Sequence, residues 1–91
     1  MKESALEALF TRYVRQLHGI SIKIAPLMAG VPDRLVLLPG GRTYLVELKT
    51  EVGQVSHIQR VWHDRAGEIG HHVYVLHGKE EVLAWLDQVA G

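Results

Sequence analysis

Residues 33–49 read DRLVLLPGGRTYLVELK, two runs rich in Leu and Val divided by Pro39, Gly40, Gly41 and Arg42. Apolar runs of strand length around a Pro-Gly-Gly turn predict an antiparallel β-hairpin, and that pairing constrains everything that flanks it. Just upstream, ISIKIA (residues 20–25) alternates apolar and polar residues with the period of a strand. The segment 26–32, punctuated by Pro26, Gly30 and Pro32, reads as an irregular connection. Between residues 4 and 18, Leu6, Leu9, Phe10, Tyr13, Val14 and Leu17 fall at helical spacing, with Gly19 as a C-terminal stop.

Downstream, residues 50–56 form a loop and residues 57–69 a helix, with Ile58, Val61, Trp62, Ala66 and Ile69 along one side. A short strand over 71–77 and a helix over 79–89, carrying Val82, Leu83, Leu86 and Val89, complete the chain. The order is helix, three strands, helix, strand, helix. Three consecutive strands form an antiparallel meander, and a fourth reached through a helix lies parallel to its neighbour. The expected fold is α/β, a mixed central sheet flanked by helices.

Ninety-one residues make one domain, 1–91. A domain of this size buries roughly 60–65% of its unfolded surface, so dimerisation would help it. The lack of Cys excludes a disulfide scaffold and a thiolate metal site, and fits a reducing cytosol. No stretch approaches the roughly 20 apolar residues of a membrane span, and MKESALE is not a signal peptide. The expectation is a cytoplasmic protein with no membrane partner. Ten basic residues balance ten acidic ones, which disfavours a protein that coats nucleic acid. An enzyme that grips DNA with one local patch is compatible with that balance.

Strand alternation sets Thr43, Leu45, Glu47 and Lys49 on one face of the hairpin and Tyr44, Val46 and Leu48 on the other. Asp33 opens the paired strand, and pairing about the turn brings it beside Glu47. Two carboxylates and an ammonium at one point suit a hard divalent cation, with Lys49 holding a water or offsetting charge on a phosphorane-like transition state. An ordinary ion pair of Lys49 with Glu47 or Asp33 accounts for the same residues equally well. In the first helix, Glu3 lies about 50° from the centre of the apolar stripe and Glu7 about 90°. Glu3 is a third carboxylate aimed at that focus, or else a partner of the helix dipole at a frayed end. Gln59 completes S-x-x-Q with Ser56, a helix-capping box, and is also a site candidate; the two roles are compatible.

The stretch GVPDRLVLLPGGRTYLVELK followed by SHIQ resembles the VRR-NUC family of the PD-(D/E)xK nuclease superfamily. Asp33 matches the Asp of the PD element, Glu47-Leu48-Lys49 the E-x-K element, Gln59 the Gln of the second core helix, and Glu3 the Glu of the first. Family members have acidic or amide residues at both positions matching Glu3 and Glu7, and helical phase favours Glu3. The resemblance implies a restriction-endonuclease-like αβββαβ core plus a C-terminal helix. It also implies a Mg²⁺- or Mn²⁺-dependent endonuclease acting on DNA. In that scheme Asp33, Glu47 and the Leu48 backbone carbonyl bind metal, Glu3 contacts it directly or through water, and Lys49 orients the nucleophilic water.

Short phage and bacterial members resemble Holliday-junction resolvases that act as homodimers, so the expected substrate is a four-way junction or other branched DNA. Flaps and forks are the alternative. Lys2, Lys23, Arg34, Arg42, His57, Arg60 and Arg65 are the candidate phosphate contacts, or else solvated surface charges. For the dimer surface, the apolar residues Leu27, Met28 and Trp85 are candidates. Two readings compete. A catalytically inactive DNA-binding module is disfavoured by intact Asp33, Glu47 and Lys49. A transition-metal site at His71-His72 is disfavoured because neighbours on a strand point to opposite faces.

Overall fold

The computed structural model describes residues 1–91. The chain forms α1 (Glu3–Gln16), β1 (Ile20–Lys23), β2 (Arg34–Leu38), β3 (Arg42–Lys49), α2 (His57–Glu68), β4 (Val73–His77) and α3 (Gly78–Ala90). The four strands make one sheet in the order β1-β2-β3-β4. β1 with β2 and β2 with β3 are antiparallel, and β4 runs parallel to β3 after the α2 crossover. This is the mixed α/β architecture expected from the hairpin and its flanks.

Local chemistry explains the element ends. The hairpin closes through Gly40 and Gly41, both left-handed with φ of 84° and 73°, where a side chain would be strained. The first helix stops at Gln16, two residues earlier than periodicity suggests, and the left-handed residue is His18 (φ 65°) rather than Gly19. Gly19 serves a different need. A Cβ there would sit 2.6 Å from Leu38 Cδ2 and 2.7 Å from the Leu37 carbonyl, so the chain enters β1 against β2 only with hydrogen at that position. The fourth strand begins at Val73, past the two histidines expected to open it.

One face of the sheet carries the core. Val36, Leu38, Val46, Leu48 and Leu76 pack on Leu6, Leu9, Phe10 and Val14 of α1 and on Val82, Trp85, Leu86 and Val89 of α3. Each fully buried Leu or Phe contributes about 1.5–3 kcal/mol. Trp85, expected as an exposed dimer residue, is instead 5% exposed. Its ring centroid lies 5.3–5.9 Å from those of Tyr44, Tyr74 and Phe10, because the i, i+3, i+4, i+7 stripe of α3 includes it.

The opposite face carries Leu35, Leu37, Leu45, Glu47, Lys49, Val73 and Val75, and α2 lies across part of it. That helix buries Ala66 alone and leaves Ile58, Val61 and Ile69 half exposed or more. No helix is long and apolar enough to cross a membrane.

Candidate active site

Three chain segments meet at the C-terminal end of β3. The first is the turn into β2. Gly30 is left-handed (φ 86°) and passes so close to α2 that a Cβ would lie 2.6 Å from the Ile58 carbonyl oxygen. Buried Pro32 then stiffens the chain immediately before Asp33. Asp33 sits one residue ahead of β2 rather than inside it, with its backbone carbonyl accepting from Ile24 N at 2.9 Å. The β2–β3 ladder ends at Arg34 opposite Val46. Beyond that point the Asp33 side chain replaces the missing ladder bond, its Oδ2 accepting from Leu48 N at 2.8 Å.

The second segment is the end of β3. Glu47 is 0% exposed, the one buried charged residue of the chain. Its Oε2 accepts from Gln59 Nε2 at 2.9 Å and lies 3.7 Å from Lys49 Nζ. Its Oε1 is buried without any hydrogen-bond partner. Burial pushes the Glu47 carboxyl up to about 8, and the charge and hydrogen bond of adjacent Asp33 push the same way; Lys49 opposes them and Glu3 adds a little. At neutral pH and without a cation, this carboxyl therefore keeps its proton.

The third segment is the start of α2. Ser56 caps it, accepting from Gln59 N at 3.2 Å, while Gln59 Oε1 accepts from Ser56 N at 2.9 Å. One amide thus performs both of the roles open to it, its oxygen closing the capping box and its nitrogen holding Glu47. One turn on, His63 turns Nε2 toward Glu47 Oε1 at 4.0 Å. Burial lowers the pKa of this imidazole, and Lys49 and His72 add to that while Asp64 opposes. Sequence reasoning missed His63. The available signal was its i+4 spacing from Gln59, which puts both on one side of a helix.

The first helix separates its two acids. Glu7 is held by Arg34 Nη2 at 3.1 Å and lies 3.9 Å from Lys23 Nζ. Glu3 is exposed at the helix start, ahead of the first buried residue Leu6, and is the acid of α1 whose charge reaches Glu47. No three His, Asp or Glu side chains converge at metal-ligand spacing.

The positive rim is narrower than expected. Arg34 is engaged by Glu7. Arg42 lies at the other end of β3, donating from Nε to the Pro39 carbonyl and from Nη1 to the Val89 carbonyl, so it closes the C-terminal turn of α3. Arg65 pairs with Glu68 at 3.7 Å. Lys2, next to Glu3 in the chain, and His57 and Arg60 in the first turn of α2 are exposed, as is Lys23, which lies 3.9 Å from Glu7 Oε2.

The donor set fits a hard divalent cation. Two carboxylates crowd each other, one at a raised pKa, and the buried Glu47 Oε1 lacks any donor. The two carboxylates offer oxygen ligands, and Mg²⁺ and Mn²⁺ commonly take one or two carboxylates and fill the remaining positions with water.

This sheet, with paired acids, lysine and amide at the end of one hairpin strand, has the arrangement of an α/β nuclease. The chain is 36% identical over 81 residues to "Putative nuclease p44" of Acyrthosiphon pisum secondary endosymbiont phage 1, covering 88% of this chain and 87% of that protein. A solved structure described as a VRR_NUC domain superposes with a TM-score of 0.85 at 26% identity, covering 93% of this chain and 94% of the other. No family model matches the sequence. The chain belongs to the VRR-NUC family of nucleases.

Proposed function

We propose that this nuclease is a Mg²⁺- or Mn²⁺-dependent endonuclease that hydrolyses phosphodiester bonds in branched DNA, with the four-way junction as preferred substrate. The observation that carries the reading is the buried Glu47, crowded by Asp33 and left with an unpartnered oxygen, beside Lys49. A bound cation would relieve both the crowding of the two carboxyls and the unpartnered oxygen.

Asp33, Glu47 and the Leu48 backbone carbonyl would hold the cation, with Glu3 contributing from the helix start. When bound, the ion supplies positive charge against the scissile phosphate. The residues of the chain do the rest. Lys49 lies on the Glu47 face of β3, where its ammonium orients the attacking water and offsets the charge that grows on the phosphoryl oxygens. Gln59 keeps Glu47 from rotating away. Lys2, His57, Arg60 and Lys23 meet the flanking phosphates without reading sequence.

A homodimer completes the proposal. Met28 and Trp62 touch, Trp62 Nε1 donating to Met28 Sδ at 3.3 Å, and their neighbours Leu27, Ile58, Val61 and Ile69 are 81%, 55%, 49% and 77% exposed. Trp62 and Ile69 line a groove of about 410 Å³ between α2 and Leu45 of β3, and Ile58, Val61 and Trp62 line a second of about 380 Å³ beside Ala29. An exposed apolar surface of this kind suits a protein rather than phosphate. A second copy also supplies the second equivalent site that paired cuts in a four-way junction require.

The test is cleavage of labelled four-way junctions, flaps and linear duplex in Mg²⁺ and Mn²⁺, beside Asp33→Ala and Lys49→Ala. Paired symmetric nicks on the junction, lost in both variants, support the proposal. Cuts confined to flaps or forks replace the substrate and keep the chemistry. Binding without cleavage in either metal overturns the enzyme reading.

A further inference from the structure

Two buried polar atoms without partners face each other in the site, Glu47 Oε1 and His63 Nε2, 4.0 Å apart. Each orphan costs about 1–3 kcal/mol relative to a satisfied group. The gap exceeds the N–H···O distance of about 2.9 Å by roughly 1 Å. A side-chain rotation on the order of 15–20°, inside one rotamer well, closes it. Gln59 already reaches the other oxygen of the same carboxylate from one turn earlier on α2. Residues four apart on a helix lie above one another, so Gln59 and His63 are a natural pair of donors for the two oxygens of one glutamate.

We propose that His63 is a positioning residue for Glu47, its Nε2–H donating to Oε1 once a divalent cation draws the carboxylate into place. The inference rests on the metal-nuclease reading above and adds a residue to it. A carboxylate oxygen has two lone-pair directions, so Oε1 can accept from His63 on one and leave the other for a cation. Gln59 and His63 then set the plane of the carboxylate together, and α2 becomes the element that aims it. Partners of this kind orient a ligand without touching the metal, and their loss typically weakens metal binding about 10–100-fold.

The test is isothermal titration of Mn²⁺ into the DNA-free protein, for wild type, His63→Met, His63→Gln and Asp33→Ala, with thermal melts to establish folding. His63→Met keeps bulk and removes the donor, and a roughly 10–100-fold weaker Mn²⁺ affinity is expected. His63→Gln restores a donor of similar reach and should return to within a few-fold of wild type. Where the Met variant fails to fold, His63→Asn gives the same comparison, because its amide is too short to span the gap. Wild-type affinity in a folded variant without a usable donor overturns the role of His63 and leaves the metal site standing. No Mn²⁺ binding by folded wild type, equal to Asp33→Ala, overturns the metal reading itself and this inference with it.

Discussion

Glu47 is where stability and function oppose each other at a single side chain. A glutamate ordinarily loses its proton near 4.5, and this one retains it to about 8 through burial and its neighbour Asp33. Between those values the folded, metal-free chain holds a proton that the unfolded chain has released, so stability falls as pH rises. The contribution is fully present below the lower value and gone above the upper one. In EDTA, the melting temperature should therefore fall between about pH 5 and pH 8.5. Glu47→Gln should melt with little pH dependence across that window and exceed wild type at its upper end. A cation displaces the retained proton, so at fixed Mn²⁺ the rise in melting temperature should be larger near pH 8 than near pH 6. An equal rise at both pH values would separate the metal from Glu47.

At the scale of elements, the turn before β2 and the start of α2 act as one device. Gly30 lets the loop pass against the Ile58 carbonyl, and the loop carries Asp33 into position three residues later. Gly30→Ala meets both a left-handed φ and a backbone oxygen, so it should cost about 1–3 kcal/mol and move Asp33 as well. Unfolding and cleavage measured together should both decline; a fall in stability with full cleavage would uncouple loop from site. Ser56 and Gln59 can be separated by substitution. Ser56→Ala removes a cap worth about 1 kcal/mol and leaves the Gln59 amide on Glu47. Gln59→Glu keeps an acceptor for Ser56 N but sets a second negative charge against Glu47 Oε2. The first should lower the melting temperature with cleavage nearly intact, and the second should lower cleavage about 10-fold or more in a chain that still folds. Much of this device was legible in the residues, because Gly-x-Pro-Asp, E-x-K and S-x-x-Q are local patterns with local physical causes. The work of Arg34 and Arg42 was not. Their partners, Glu7 and the Val89 carbonyl, lie 27 and 47 residues away, and no periodicity encodes which distant group an arginine will meet.

For the whole molecule, the sheet divides its labour between faces, and the division decides how the chain should assemble. One face is sealed by α1 and α3 over a continuous core. The other is covered by α2 in part, and Ile20 and Ile22 of edge strand β1 are 59% and 41% exposed there. Helical spacing identified the apolar stripe of α2, but the same stripe suits a buried helix and an interface helix alike. Its direction became visible only once the sheet placed Gln59 and His63 inward and left Ile58, Val61 and Ile69 outward. A small domain with so much open apolar surface is poorly suited to a monomer, and pairing through α2 would cover it. Light scattering should give twice the mass of one chain. Val61→Glu and Ile69→Glu place charges on the outer side of α2, away from Glu47, so each should shift the population to monomer without unfolding it. The monomer should still nick a junction, but its two cuts should become independent and the paired product should fall sharply. If the charged variants stay dimeric, the interface lies elsewhere, with the exposed edge of β1 as the next surface to test. If they become monomeric and still make paired cuts, the link between two-fold symmetry and junction resolution fails for this chain.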